Sequence, residues 1–133
     1  MDKSSSHSEK RSWLNTFSAA WEGIAYAVRT QRNMKVHLTI TCIVCVIGAL
    51  IGLRLDEWRW IGLCITLVLA AEVVNTAIES VVDLVSPEWH QLAKVAKDAA
   101  AGAVLITVIF SVVVGISVFA KPILSMLVNL FNN

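Results

Sequence analysis

The sequence predicts an all-α integral membrane protein, an N-terminal interfacial amphipathic helix followed by three transmembrane helices. Three observations predict it. Only 16% of the 133 residues are charged and 56% are hydrophobic, against ~25% charged in an average soluble domain. Three apolar stretches approach or exceed the ~20 residues that cross ~30 Å of hydrocarbon. A chain this small also has too little interior to hide that much apolar surface from water. These figures exclude a disordered, fibrous or nucleic-acid-binding protein, and no nucleic-acid partner is expected.

Residues 1–11, MDKSSSHSEKR, are polar and serine-rich and predict a disordered tail. No apolar core follows them directly, so they do not read as a signal peptide. Over 12–32 the sequence predicts the surface helix: Trp13, Phe17, Ala20, Trp21, Ile24 and Val28 recur at helical offsets, with Asn15, Ser18, Glu22 and Arg29 opposite. Aromatic rings with flanking basic residues suit a helix lying in the membrane surface. Transmembrane helices are expected over 36–53, 60–85 and 97–120, the last stopping at Lys121-Pro122. The tail over 123–133 is too short to span again and reads as an interfacial turn. Together 1–133 form a single membrane domain. Cys42, Cys45 and Cys64 lie inside apolar runs and read as small packing residues. Gly48-x-x-x-Gly52 and the alanine-glycine run Ala99–Ala103 are weak signals of close helix approach.

Basic residues set the orientation. Of the 11 lysines and arginines, Lys3, Lys10, Arg11, Arg29, Arg32, Lys35, Lys94 and Lys97 fall on one side, and Arg54, Arg59 and Lys121 on the other. The positive-inside rule puts the N-terminus and the 86–98 loop in the cytoplasm and the C-terminus outside. Trp58 and Trp60 then fall at the outer interface, where aromatic belts occur.

The second span carries the chemistry. Glu72, Asn75, Thr76, Glu79 and Asp83 sit at offsets of 3, 4, 7 and 11 and share one helical face. One acid at a helix centre costs ~2.5–3.5 kcal/mol on insertion scales, so the stripe must face protein, metal or water. One chain with three spans offers little interior, which points to a homo-oligomer that buries the stripe. Polar glue between helices explains Thr76 but not two glutamates. Glu79 lies 19 residues past Trp60, ~28 Å along the helix and at the cytoplasmic edge of the hydrocarbon; Glu72 lies ~10 Å deeper. A carboxylate at the edge suits a hydrated Mg²⁺, and a deeper one meets a lipid hydroxyl. The following loop, Ser86 to Asp98, adds Glu88, Trp89, His90, Lys97 and Asp98: a cation for phosphates and rings on which adenine stacks. The arrangement suits phosphoryl transfer from a nucleotide to a membrane alcohol. There is no Walker A sequence and no G-x-G-x-x-G loop.

Glu72-Val-Val-Asn75-Thr-Ala-Ile-Glu79-Ser-Val-Val-Asp83, followed by Ala96-Lys97-Asp98-Ala-Ala-Ala-Gly-Ala-Val-Leu105, resembles the signature of the small bacterial diacylglycerol kinase and undecaprenol kinase family. The likeness covers roughly residues 12–120, and the wording is nearest the Gram-positive undecaprenol kinases. The resemblance implies a homotrimer in the bacterial cell membrane. It also implies active sites shared between subunits at the cytoplasmic surface, and ATP with Mg²⁺. By the same resemblance Glu72 is the catalytic base and Glu79 a metal ligand. Asn75, Glu88, Trp89, His90, Lys97 and Asp98 bind nucleotide. Asn33, Met34, Lys35, His37, Glu72 and Ala101 meet lipid. A second metal-binding glutamate of the family aligns with Gln31, and a basic residue of the family aligns with Ser12, beside Arg11. The implied reaction takes the γ-phosphate of ATP to undecaprenol. Diacylglycerol is the alternative acceptor, and a small proton- or cation-coupled transporter the alternative class.

Overall fold

The computed structural model describes residues 13–131. The polar tail over 1–11 and the aligned position Ser12 lie outside the described residues. Four helices follow one another: α1 over Trp13–Thr30, α2 over Arg32–Ile51, α3 over Leu55–Val85 and α4 over Gln91–Phe131. α2, α3 and the Gln91–Ser125 part of α4 are long and apolar enough to cross a membrane. α3 packs chiefly along α4, with α2 and α1 laid against the pair.

Only Gln31 departs from helical geometry between α1 and α2, with φ −88° and ψ 124°. Its N–H still donates to the Ala27 carbonyl at 2.9 Å, so the chain turns without freeing that group. Ala27 and Met34, both buried, fill the corner. Trp13, Phe17 and Trp21 on α1 stay uncovered, each more than 70% exposed.

The Gly48-x-x-x-Gly52 motif serves one hairpin. Gly52 takes the left-handed conformation at φ 74° and ends α2, with the Leu53 N–H reaching back to the Gly48 carbonyl at 3.0 Å. This is the helix stop that glycine favours because it lacks a Cβ. At Gly48 a Cβ would stand 2.9 Å from Leu53 Cδ1 and 3.0 Å from the Trp58 ring, so the missing side chain seats the start of α3. Gly52→Ala is expected to cost about 1–2 kcal/mol, seen as a lower unfolding midpoint in detergent with the helix content of the folded protein unchanged.

Three sequence boundaries are corrected. α3 starts at Leu55, five residues before 60, because the Glu57 carboxylate accepts the Arg54 backbone N–H at 2.7 Å and Asp56 and Glu57 place negative charge on the first turn. Trp58 packs, half-buried, against the Leu53, Ile61 and Val118 cluster, while Trp60 remains exposed. α4 starts at Gln91, so the expected 86–98 loop shrinks to Ser86–His90. His90 is the reason: its Nδ1 accepts the Leu92 N–H at 3.2 Å and caps the helix. Finally, α4 runs through Pro122 to Phe131 instead of stopping there. Proline removes one intrahelical donor, whereas unwinding 123–131 in apolar surroundings would leave many backbone groups unpaired. The Ser125 hydroxyl adds a bond to the Pro122 carbonyl at 2.8 Å.

Hydroxyls inside the spans are satisfied locally. Thr39, Thr66, Thr76, Ser80, Ser111 and Ser117 each donate to the carbonyl four residues back, at 2.8–2.9 Å. Such bonds hide hydroxyls from hydrocarbon. The packed apolar cluster lies at the Gly52 end of the bundle. The buried polar residues Glu72, Asn75 and Thr76 lie farther along α3.

Candidate active site

Because α3 is regular from Leu55 to Val85, Glu72, Asn75, Thr76 and Glu79 stack on adjacent turns. Glu72 is 1% exposed, Thr76 3% and Asn75 4%. A cavity of about 330 Å³ opens beside them, lined by Asn33 and His37 of α2, Glu72, Asn75 and Glu79 of α3, and Ala101 and Leu105 of α4.

Neither carboxylate oxygen of Glu72 has a hydrogen-bond partner among the described residues, and the Asn75 amide oxygen has none either. A buried ionised group carries a penalty of several kcal/mol when unpaired, which a helix keeps where a ligand repays it. The Thr76 hydroxyl does not help, since it goes to the Glu72 backbone carbonyl at 2.8 Å. The Asn75 amide nitrogen donates to a Glu79 oxygen at 3.1 Å. That bond holds the Glu79 carboxylate and leaves the Asn75 oxygen available.

A second cavity of about 400 Å³ lies where α3 hands over to α4, lined by Asp83, Glu88, Trp89, His90, Lys94, Lys97 and Asp98. Lys97 Nζ pairs with Asp83 at 2.5 Å and Lys94 Nζ with Asp98 at 2.5 Å. Sequence reasoning missed both pairs. It placed Asp83 with Glu72, whereas the short hairpin lays the first turns of α4 over Asp83 and draws it into the second cavity. Lys94, four residues before Asp98, was readable as a helical pair only once α4 was known to start at Gln91. These pairs are solvent-exposed and weak, ~0–1 kcal/mol each, so Asp83 holds Lys97 only loosely.

The α2 residues divide by helical angle. Asn33 and His37, four apart, face the Glu72 cavity. Met34 is buried at the α1–α2 corner, and Lys35 borders a separate shallow cavity with Arg32 and Thr39. Gln31 sits at the start of α2, half-buried, with no side-chain capping bond.

Among the described residues no three His, Cys, Asp or Glu side chains converge on one point. The donors present are hard oxygens, the Glu79 carboxylate and the unpartnered Asn75 amide oxygen. That set fits Mg²⁺, which takes one or two protein oxygens and keeps water and phosphate for the rest.

Residues 18–119 match the family of prokaryotic diacylglycerol kinases. The chain is 43% identical over 116 residues to a diacylglycerol kinase of Synechocystis, covering 86% of this chain and 66% of that protein. It is 40% identical over 119 residues to an undecaprenol kinase of Bacillus subtilis, covering 90% of this chain and 97% of that one. A diacylglycerol kinase of Escherichia coli is 45% identical over 49 residues, 37% of this chain and 40% of its own. The chain thus spans just under two thirds of the Synechocystis protein and nearly all of the Bacillus one.

Proposed function

This chain belongs to the prokaryotic diacylglycerol kinase family, and from that premise we propose that this membrane lipid kinase transfers the γ-phosphate of ATP to the hydroxyl of undecaprenol, giving undecaprenyl phosphate. Membership displaces the transporter alternative. The observation that carries the reaction is Glu72, a buried carboxylate with two unpartnered oxygens facing a cavity. The choice of undecaprenol rests on the near full-length likeness to the Bacillus undecaprenol kinase. Diacylglycerol is the second reading, favoured by the 43% identity to the Synechocystis diacylglycerol kinase. Labelled ATP offered to the purified protein with either lipid in the same detergent tests both readings. Label in undecaprenyl phosphate supports the first, label only in phosphatidic acid supports the second, and label in neither lipid removes the kinase assignment.

Phosphoryl transfer needs positioning and charge neutralisation more than covalent help. Glu72 accepts the proton of the lipid hydroxyl, held at the depth where that hydroxyl reaches. Asn75 holds the Glu79 carboxylate in place through its 3.1 Å bond. Glu79 and the Asn75 oxygen would hold Mg²⁺, which would supply neutralisation of phosphate charge. Lys97 leaves Asp83 for the phosphates, Glu88 and Asp98 flank the pocket, and Trp89, 80% exposed, offers a face on which adenine stacks. His90 lines the same pocket while its Nδ1 caps α4. Asn33, His37 and Ala101, which line the Glu72 cavity, belong to the lipid entrance in this reading, whereas Met34 is packed in the α1–α2 corner and Lys35 borders a separate cavity.

The protein works as a homotrimer with shared sites in the bacterial cell membrane, N-terminus cytoplasmic and C-terminus outside. The uncovered apolar faces on all four helices and the exposed aromatic stripe of α1 support a partner subunit and a membrane surface.

An amide oxygen ligates Mg²⁺ without bringing charge, and hard cations favour carboxylates. Gln31→Glu is therefore expected to lower the half-saturating Mg²⁺ concentration at fixed ATP. The maximal rate need not rise, because tighter ground-state binding does not lower the barrier. An unmoved titration removes Gln31 from the metal site. A rightward shift in Glu22→Gln would then identify Glu22, on the polar side of α1 and 3.4 Å from the Ser18 hydroxyl, as the source of charge.

A further inference from the structure

Phosphoryl transfer to an alcohol releases a proton. The alcohol O–H bond breaks and its oxygen bonds to the γ-phosphorus. The bond from that phosphorus to the bridging oxygen breaks, and ADP leaves. The proton goes to a Glu72 oxygen, and Glu72 must lose it before it can act again. A carboxyl group only 1% exposed has no open route to bulk water. A neighbouring group has to take the proton onward.

Four other polar side chains line the Glu72 cavity: Asn33, His37, Asn75 and Glu79. The two amides do not take up a proton near neutral pH. Glu79 already accepts the Asn75 amide at 3.1 Å, and its charge belongs to the metal in the kinase reading. The Thr76 hydroxyl is committed to the Glu72 backbone carbonyl. His37 remains, and imidazole gains and loses a proton near neutral pH. That is the property required of a group loaded and unloaded once per turnover.

Its position suits the task. His37 lines the cavity from α2, and Glu72 lines it from α3. Neither Glu72 oxygen has a hydrogen-bond partner among the described residues, so the imidazole stands beyond direct reach and a single bridging water carries the proton across. His37 is half-buried, and Asn33, about one turn nearer the start of α2, is exposed. The imidazole therefore stands between the carboxylate and solvent. The titratable groups sharing a cavity wall with it are Glu72, Glu79 and Cys64, all on α3. Among the described residues α4 offers Ser111 and apolar side chains there, and no α1 side chain lines either space.

We propose that His37 is the proton exit of this site: it takes the lipid-hydroxyl proton from Glu72 and passes it to water past Asn33. This rests on the lipid kinase reading and gives His37 a task beyond touching lipid.

His37→Ala is expected to lower kcat by about tenfold or more while the lipid KM stays within about twofold. Imidazole added to the assay should restore the rate saturably, since it fits the space the side chain leaves. Restoration should follow the free base, stronger at about pH 8 than at about pH 6 for one total concentration. The wild type should not respond to imidazole. His37→Gln keeps polarity and similar size but carries no proton, so it should be slowed alike. A kcat within about twofold of wild type in both variants overturns the proposal. So does a slowed His37→Ala that imidazole leaves slow, or a raised lipid KM with kcat unmoved, which makes His37 a lipid contact alone. A wild type inactive on both lipids overturns the kinase reading instead.

A second measurement leaves His37 unaltered and so does not depend on those variants folding. The chain has three histidines. His90 lines the other polar cavity, and His7 precedes α1. With ¹⁵N-labelled histidine at fixed pH, Glu72→Gln should move one imidazole signal and leave two in place. Three unmoved signals overturn the proposal.

Discussion

Glu72→Gln is expected to lower turnover by ~10²–10⁴-fold, the span of a general-base contribution, with nucleotide affinity and assembly left in place. Its oxygens are buried and unpartnered, and Glu88, Trp89, His90, Lys97 and Asp98 line a different cavity. The same substitution should leave the fold as stable or make it more stable, because it replaces an unpartnered buried carboxyl with an uncharged amide of the same shape. Opposite signs for activity and stability distinguish a functional group from a structural one. The check is steady-state phosphorylation at saturating lipid beside the unfolding midpoint of the same preparation. More than half the wild-type rate, or a marked fall in the midpoint with activity retained, would remove Glu72 from the chemistry.

Glu79→Gln should behave differently. It removes a hard-oxygen ligand, and losing even the outer partners of a metal ligand costs ~10–100-fold in affinity. The half-saturating Mg²⁺ concentration is therefore expected to rise by at least ~10-fold, and Mg·ATP binding should weaken together with turnover. The glutamine can keep the bond from the Asn75 amide through its own oxygen, so the local geometry survives while the charge does not. Nucleotide titration with and without Mg²⁺ reads this directly. If the variant binds Mg·ATP as tightly as wild type, Glu79 holds no metal and the cavity must be reassigned.

Much of this was readable from spacing. Glu72, Asn75 and Glu79 fall together because α3 is an uninterrupted helix, and three-four spacing on a regular helix fixes a shared face. The spans were legible because apolar length is a direct physical requirement of hydrocarbon. What escaped were features set by tertiary placement or by rare local chemistry. Asp83 lies on the same helical line as Glu72, yet α4 folds back and captures it with Lys97. His90 caps α4 with an imidazole nitrogen, outside the Ser, Thr, Asp and Asn set that marks helix starts in a sequence. Pro122 reads as a terminator by its missing donor, and its place inside α4 depends on apolar surroundings that hold the backbone helical. Gly48 reads as a helix-association residue, and only the position of Trp58 shows what it accommodates.

The packed cluster of Leu53, Ile61 and Val118, with Trp58 seated on Gly48, gathers at one end of the bundle. The carboxylates, both ion pairs on α4 and the two polar cavities gather toward the other. The chain turns at both ends of the bundle: Gly52 closes α2 onto α3 at one, and Ser86–His90 closes α3 onto α4 at the other. Heat and catalytic damage should accordingly act on separate parts: a weakened apolar cluster would cost lifetime at temperature before it cost rate, and a damaged carboxylate face would cost rate without costing lifetime.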